Sequence, residues 1–373
     1  MRRGTFFILC LEGAILSFNV AATAALIPSI ANDFGISQIM AGRAVWLYML
    51  PYGIAALFYG PLVRIFDAKK VEVLCLFLFS LANLWAGLSR NITSFLAARF
   101  LMGVFGASVI PLALILIARH IDEKNRGRLV GIFFSITFLA SLLGLFLSGI
   151  IPWRFIFLAP AISGFLLCVL MAVALPSFKE DKAAITVRYG AALKNKAIIY
   201  LFSYIFLSSL LYHGIQQWLA VYFSARFSFN QLVISMLITL TSASGIIGEL
   251  GGGWFADVIG RIKTAELGAS LMVLSVFLLT LKLNLFILAL IMIIWGLGWT
   301  FNHAGVSTLL TDLPREFLNE AASLNSSVRF IAGGLGVALG GVFIQKGLNL
   351  NFLILGWGLI LLAAYTKKIL ILK

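Results

Sequence analysis

Gly248-Glu249-Leu250-Gly251-Gly252-Gly253-Trp254-Phe255-Ala256-Asp257-Val258-Ile259-Gly260-Arg261-Ile262-Lys263 carries a glycine-rich apolar run into a short charged turn, after which a second apolar run begins. Small residues let helix backbones approach closely in lipid. Asp257 is read as accepting backbone N–H bonds at a helix start, and Arg261 and Lys263 belong on a cytoplasmic face. The stretch is therefore read as a loop joining two membrane-spanning helices.

Composition extends that reading to the whole chain. Its 373 residues are 61% hydrophobic and 11% charged, with a mean hydropathy of +1.05, far more apolar than a soluble domain. Runs of ~20 apolar residues cross a bilayer as helices. Twelve are expected, at 6–30, 39–63, 71–89, 92–119, 127–150, 153–176, 196–224, 229–256, 264–281, 284–311, 317–345 and 350–370. Of the 28 lysines and arginines, twenty fall on the termini and alternate loops, five on the other loops and three within spans. Both termini are thus expected in the cytoplasm, and the location is read as a bacterial inner membrane. The net charge of +14 forms a girdle, not a basic patch with interleaved aromatics, so nucleic acid is not expected as a partner. Arg2-Arg3 precede an apolar run that Glu12 interrupts, with no small-residue cleavage site, which reads as an uncleaved first helix. Cys10, Cys75 and Cys168 fall within spans without CxxC pairing, giving neither a disulfide framework nor a metal site.

The longest polar connection, 177–195, separates an expected N-terminal six-helix bundle, 1–176, from a C-terminal one, 196–373. Shifting the second half by 193 positions lays Gly253 on Gly60, Asp257 on Arg64, Gly296 on Gly103 and Asn319-Glu320 on Arg126-Gly127. One offset serving several landmarks reads as a duplicated six-helix unit. Gly253-x-x-x-Asp257-x-x-Gly260-Arg261-x-Lys263 resembles the loop signature of the major facilitator superfamily. Gly60-Pro61-Leu62, read as opening the loop after span two, Arg99-x-x-x-Gly103-x-x-Gly106-Ala107 in span four, Glu123-Lys124-Asn125-Arg126-Gly127 and Trp153-Arg154-Phe155-Ile156-Phe157 resemble further landmarks of that family. The resemblance covers the chain and implies an all-α integral membrane protein, twelve transmembrane helices in two six-helix pseudo-repeats. It also implies a cavity lined by spans one, four, seven and ten.

The pattern is broken in one place. Family members carry an acid where this chain has Arg64, and Arg-Gly where it has Asn319-Glu320. The resemblance pairs Asp257 with Arg126 in the usual sense and Arg64 with Glu320 in the reverse sense, a charge swap that would keep a cytoplasmic latch. The alternative is a decayed motif in which Asp67 or water does the work. Pro51 and Pro111 lie inside spans two and four, where each removes a helix bond and invites a kink. Gly333, Gly334, Gly336, Gly340 and Gly341 in span eleven read as packing residues.

Burying polar side chains in a membrane is expensive, so each one there is a candidate. Glu12 and Asn19 share a face of span one; Glu12 reads either as a proton carrier or as a carboxylate snorkelling to water. Arg99 reads either as a contact for an anionic group or as a cap on helix carbonyls. His213, Gln216 and Gln217 in span seven, and Trp295, Trp299, Asn302 and His303 in span ten, form helical stripes. Either histidine could couple protons or simply pack. Asn325 and Arg329, with Glu249, read as a buried polar network beside the latch. No metal-ligand spacing, nucleophile elbow or phosphate loop occurs, so neither cofactor nor enzyme activity is expected. The reading is a secondary transporter of small organic solutes by alternating access, proton-coupled and exporting, and working as a monomer. Proton-coupled uptake of an organic anion is the alternative, and a transport-inactive receptor or scaffold the third.

Overall fold

The structure is a computed structural model describing residues 3–120, 123–175, 189–310, 313 and 318–370. Twelve helices are long and apolar enough to cross a membrane: Gly4–Ala25, Gln38–Val63, Ala68–Leu88, Ile92–Ile117, Arg128–Leu147, Trp153–Ala174, Lys196–Phe227, Gln231–Val258, Arg261–Leu279, Leu285–Leu309, Leu324–Lys346 and Leu348–Leu370, numbered in that order as spans one to twelve. Helices are what apolar chain of this length must form, because lipid offers no partner to an open backbone N–H or C=O. The chain separates into two compact units, Met1–Thr186 and Val187–Lys373.

Each unit holds six spans, and the duplication is visible in the helix ends. Gln38–Ile65 and Gln231–Val258 begin and end 193 residues apart, and Ala68 and Arg261 start the next helices at the same offset. Caps follow suit. Ser37 accepts from the Met40 N–H and Asn230 from that of Val233; Asn91 accepts from Ser94 and Asn284 from Ile287. Each side-chain oxygen satisfies a backbone donor that the first helical turn leaves open.

The helix crossings repeat as well. A Cβ on Gly103 would collide with the carbonyl of Tyr48, and one on Gly296 with that of Thr241, so spans four and two, and ten and eight, meet backbone to backbone. Gly144 on Phe18 and Gly336 on Leu210 do the same between spans five and one and between eleven and seven. Gly340 and Gly341 of span eleven pack on Trp218.

One clamp per unit ties three helix ends together. Arg154 at the start of span six donates to the carbonyls of Gly87 and Ser89 and to Asp33 at 2.8 Å. In the second unit Arg226, in the last turn of span seven, donates to the Thr280 carbonyl and to Asn349 at 2.6 Å. The guanidinium has changed helices between the copies while its task has not.

Three expectations are corrected. Gly60-Pro61-Leu62 opens no loop, since the helix runs on to Ile65 with both Pro51 and Pro61 inside it. Span four instead breaks at Ala107, four residues before Pro111. Asp257 does not cap a helix start: it is exposed in the last turn of Gln231–Val258, and the following helix is preceded by Gly260, whose φ of 97° suits only glycine. Spans one and seven also break, at Ala21 and at Gln217-Trp218. The expected connection 177–195 is described only from residue 189.

Candidate functional site

Polar side chains inside the first unit gather between spans one and three. Glu12 and Asn19, seven apart, both turn to span three and are fully buried. Asn19 donates to Asn83 at 2.5 Å, and Asn83 donates to the Phe79 carbonyl. Glu12 faces Glu72, which is fully buried too, with Cys75 and Cys168 alongside. Among the described residues no donor reaches any of the four carboxyl oxygens. Glu12 therefore does not snorkel.

Arg99 is buried elsewhere in this unit. Its Nε donates to the Ala44 carbonyl of span two at 3.1 Å, and its guanidinium lies 4.4 Å over the Tyr48 ring. Among the described residues its partners include no carboxylate.

The second unit holds an aromatic stack. Tyr212 lies parallel to Trp299 with ring centroids 3.9 Å apart and to Trp295 at 5.1 Å. Trp295 donates to Gln216 Oε1 at 2.6 Å, and Gln217 pairs with His213 at 3.2 Å. His213 stands edge-on to Trp299. Tyr212, Trp295 and Gln216 are buried, whereas His213, Gln217 and Trp299 remain partly exposed. Flat rings flanked by an amide and an imidazole can hold a planar solute by stacking and read its polar edge by hydrogen bonds.

Glu249 and His303 form a 2.8 Å pair across spans eight and ten, both partly exposed. Arg329 donates to Asn325 at 2.8 Å and to Ser307 at 3.4 Å. Arg329 lies within electrostatic reach of His213 and Glu249, and the His303 ring centroid is 6.1 Å from that of Trp299, so these polar groups adjoin the stack. Asn302 belongs to a different group, because it is buried against Tyr204 and the Ala265 carbonyl. The side chains of Arg64, Arg126 and Glu320 lie outside the described residues, as does the charge swap that depends on them. Gly60, Gly253 and Gly260 have open space where a Cβ would stand, and Arg261 is partly exposed.

Glu72 and Tyr212 were not among the sequence candidates. Glu72 is the second residue of the span expected at 71–89, where a carboxylate passes for an interfacial one. Its helical spacing to Cys75, Phe79 and Asn83, all buried, is the signal that marks it as inward-facing.

A family model described as the Major Facilitator Superfamily matches residues 9–365. The uncharacterized MFS-type transporter YbcL of Bacillus subtilis is 25% identical over 344 residues, covering 89% of this chain and 88% of that one. The purine ribonucleoside efflux pump NepI of Salmonella typhi is 27% identical over 349 residues, covering 91% of this chain and 86% of that one. A crystal structure of a bacterial homolog of the human lysosomal transporter Spinster, inward-facing and occupied, superposes with a TM-score of 0.79 at 14% identity over 99% of this chain and 96% of that one. The nucleoside transporter NupG superposes with a TM-score of 0.74 at 15% identity, covering 98% and 99%.

Proposed function

The chain belongs to the major facilitator superfamily and is a multi-pass integral membrane transporter, and from that premise we propose that it exports small planar organic solutes in exchange for protons by alternating access. The observation that carries the solute class is the Tyr212, Trp295 and Trp299 stack with Gln216, Gln217 and His213 at its edge. Purine ribonucleosides, which NepI is named for exporting, have the matching chemistry of a flat heteroaromatic ring with hydrogen-bonding edges. Glu12 supplies the proton site, and His303 with Glu249 borders the solute site. The protein works as a monomer in a bacterial inner membrane with both termini in the cytoplasm, the side favoured by its lysines and arginines.

Uptake of an organic anion with protons is a second reading. It draws on Arg329, whose hydrogen bonds go to the neutral Asn325 and Ser307. Two other cationic candidates give it no support: His303 is paired with Glu249, and Arg99 is occupied by Ala44 and Tyr48.

Purified protein in liposomes, challenged with purine nucleosides, organic cations and organic anions while internal pH is read, separates these readings. Export by exchange requires that a nucleoside gradient drive protons the opposite way, and that Glu12→Gln abolish this flux. Protons moving with an anion would select uptake instead. If no solute moved protons, proton coupling would be wrong.

A further inference from the structure

We propose that the exchangeable proton is held by a carboxyl pair, Glu12 of span one with Glu72 of span three, and not by Glu12 alone. This rests on the reading of the chain as a proton-coupled transporter and adds Glu72 to its proton site.

Both side chains are fully buried. Their carboxyl groups face one another, yet no donor from any other described residue reaches any of the four oxygens. Two carboxylates offer only acceptors, so a direct hydrogen bond between them needs a proton on one. Two such groups in a protein interior do not both ionise. At least one proton therefore stays on the pair, its O–H donating from one carboxyl to the other carboxylate. Taking a second proton from water forms a second O–H bond and brings the pair from a charge of minus one to zero; release reverses both changes.

Among the described residues no other group supplies a donor to the pair. Span three presents Cys75 and span six Cys168 to the pair, with Tyr59 of span two behind Cys75. Span five packs on the neighbouring Gly13 through Phe133 and Thr137. Among the described residues no lysine, arginine or histidine acts on either carboxyl. A structural acid would have a cation or a cap, and Asp67, which begins the same helix, has its cap at the Lys69 N–H.

Glu72 is four residues from the start of its helix at Ala68, about 6 Å at the helical rise. Cys168, beside the pair, also lines a groove of about 380 Å³ with Lys69, Lys70, Val73, Leu74 and Phe77.

The test uses the full-length wild type, Glu12→Gln, Glu72→Gln, the double variant and Glu72→Asp. Infrared difference spectra between acidic and alkaline buffer report the carbonyl band of protonated carboxyl groups without any solute. A shared site requires that either glutamine substitution alter the whole pH-dependent band, so that the double variant departs from the sum of the singles, and that aspartate restore it. Additive bands, or a Glu72→Gln spectrum equal to wild type, would overturn the pair. So would a band that responds to sodium at fixed pH and not to pH itself. In liposomes Glu72→Gln should lose solute-driven proton flux as Glu12→Gln does, with Glu72→Asp regaining it. A wild type that moves no protons with solute would defeat the transport reading, whereas a coupled wild type with a coupled Glu72→Gln defeats only the pair.

Discussion

Arg99 shows what a single position can and cannot reveal. Sequence places a guanidinium in the outer part of span four and leaves two roles for it; packing shows what it touches. Here the group meets the Ala44 carbonyl and the Tyr48 ring, contacts that tie span four to span two. Arg99→Met keeps the volume and removes a buried charge, an exchange that is often neutral or stabilising, so its melting temperature in detergent and its solute transport should both stay near wild type. Arg99→Ala leaves a cavity instead and should cost roughly 2–5 kcal/mol. Transport lost in Arg99→Met at wild-type stability would put the arginine on the solute. The Glu249–His303 pair is a contrasting case, legible as two intramembrane polar residues but not as partners. Nothing in a spacing of 54 residues announces a 2.8 Å contact. Because both side chains are about a third or more exposed, breaking the pair by His303→Gln should change stability by less than ~1 kcal/mol, read by thermal unfolding.

At the level of helices, apolar run length set the spans well, because it is the same quantity that the bilayer selects. Small errors at the ends had large consequences. Starting span three at Ala68, not 71, carries Glu72 a turn deeper, and ending span eight at Val258, not 256, turns Asp257 from a presumed cap into a last-turn residue. The breaks were less legible. Proline marks a lost hydrogen bond but not a bend, so Pro51 sits in an unbroken helix, while the break at Gln217-Trp218 has neither proline nor glycine to announce it. Glycines divide in the same way. Gly296 meets the Thr241 backbone, whereas Gly253, within the family's loop signature, has open space beside it. Gly253→Ala should therefore raise the melting temperature slightly, since alanine is favoured over glycine by ~1 kcal/mol inside a helix, while Gly296→Ala should lower it by forcing two backbones apart. Thermal unfolding of the two purified variants checks this. If Gly253→Ala kept its stability but lost transport, the motif glycine would be needed for motion and not for packing.

For the molecule as a whole, the duplication explains why so much was legible. One offset of 193 residues recurs in landmarks, helix ends, caps and crossings, so each copy corroborates the other. What differs between the copies is their buried polar groups: a carboxyl pair and an asparagine pair in the first unit, an aromatic stack with amides in the second. Spacing could not foresee these, because each depends on which side chains of distant spans meet. The chain's orientation remains a sequence argument from charge. It decides which loops face the cytoplasm. Arg90, on a loop, and Lys263, in the first turn of span nine, are both exposed and lie on opposite predicted sides, and the three native cysteines are buried. Single substitutions Arg90→Cys and Lys263→Cys can therefore be labelled against a quiet background. A membrane-impermeant maleimide should modify Arg90→Cys in intact cells and Lys263→Cys only after permeabilisation. The reverse pattern would invert the topology and with it the expected sides of the termini, while export or uptake would still be decided by whether protons move against or with the solute.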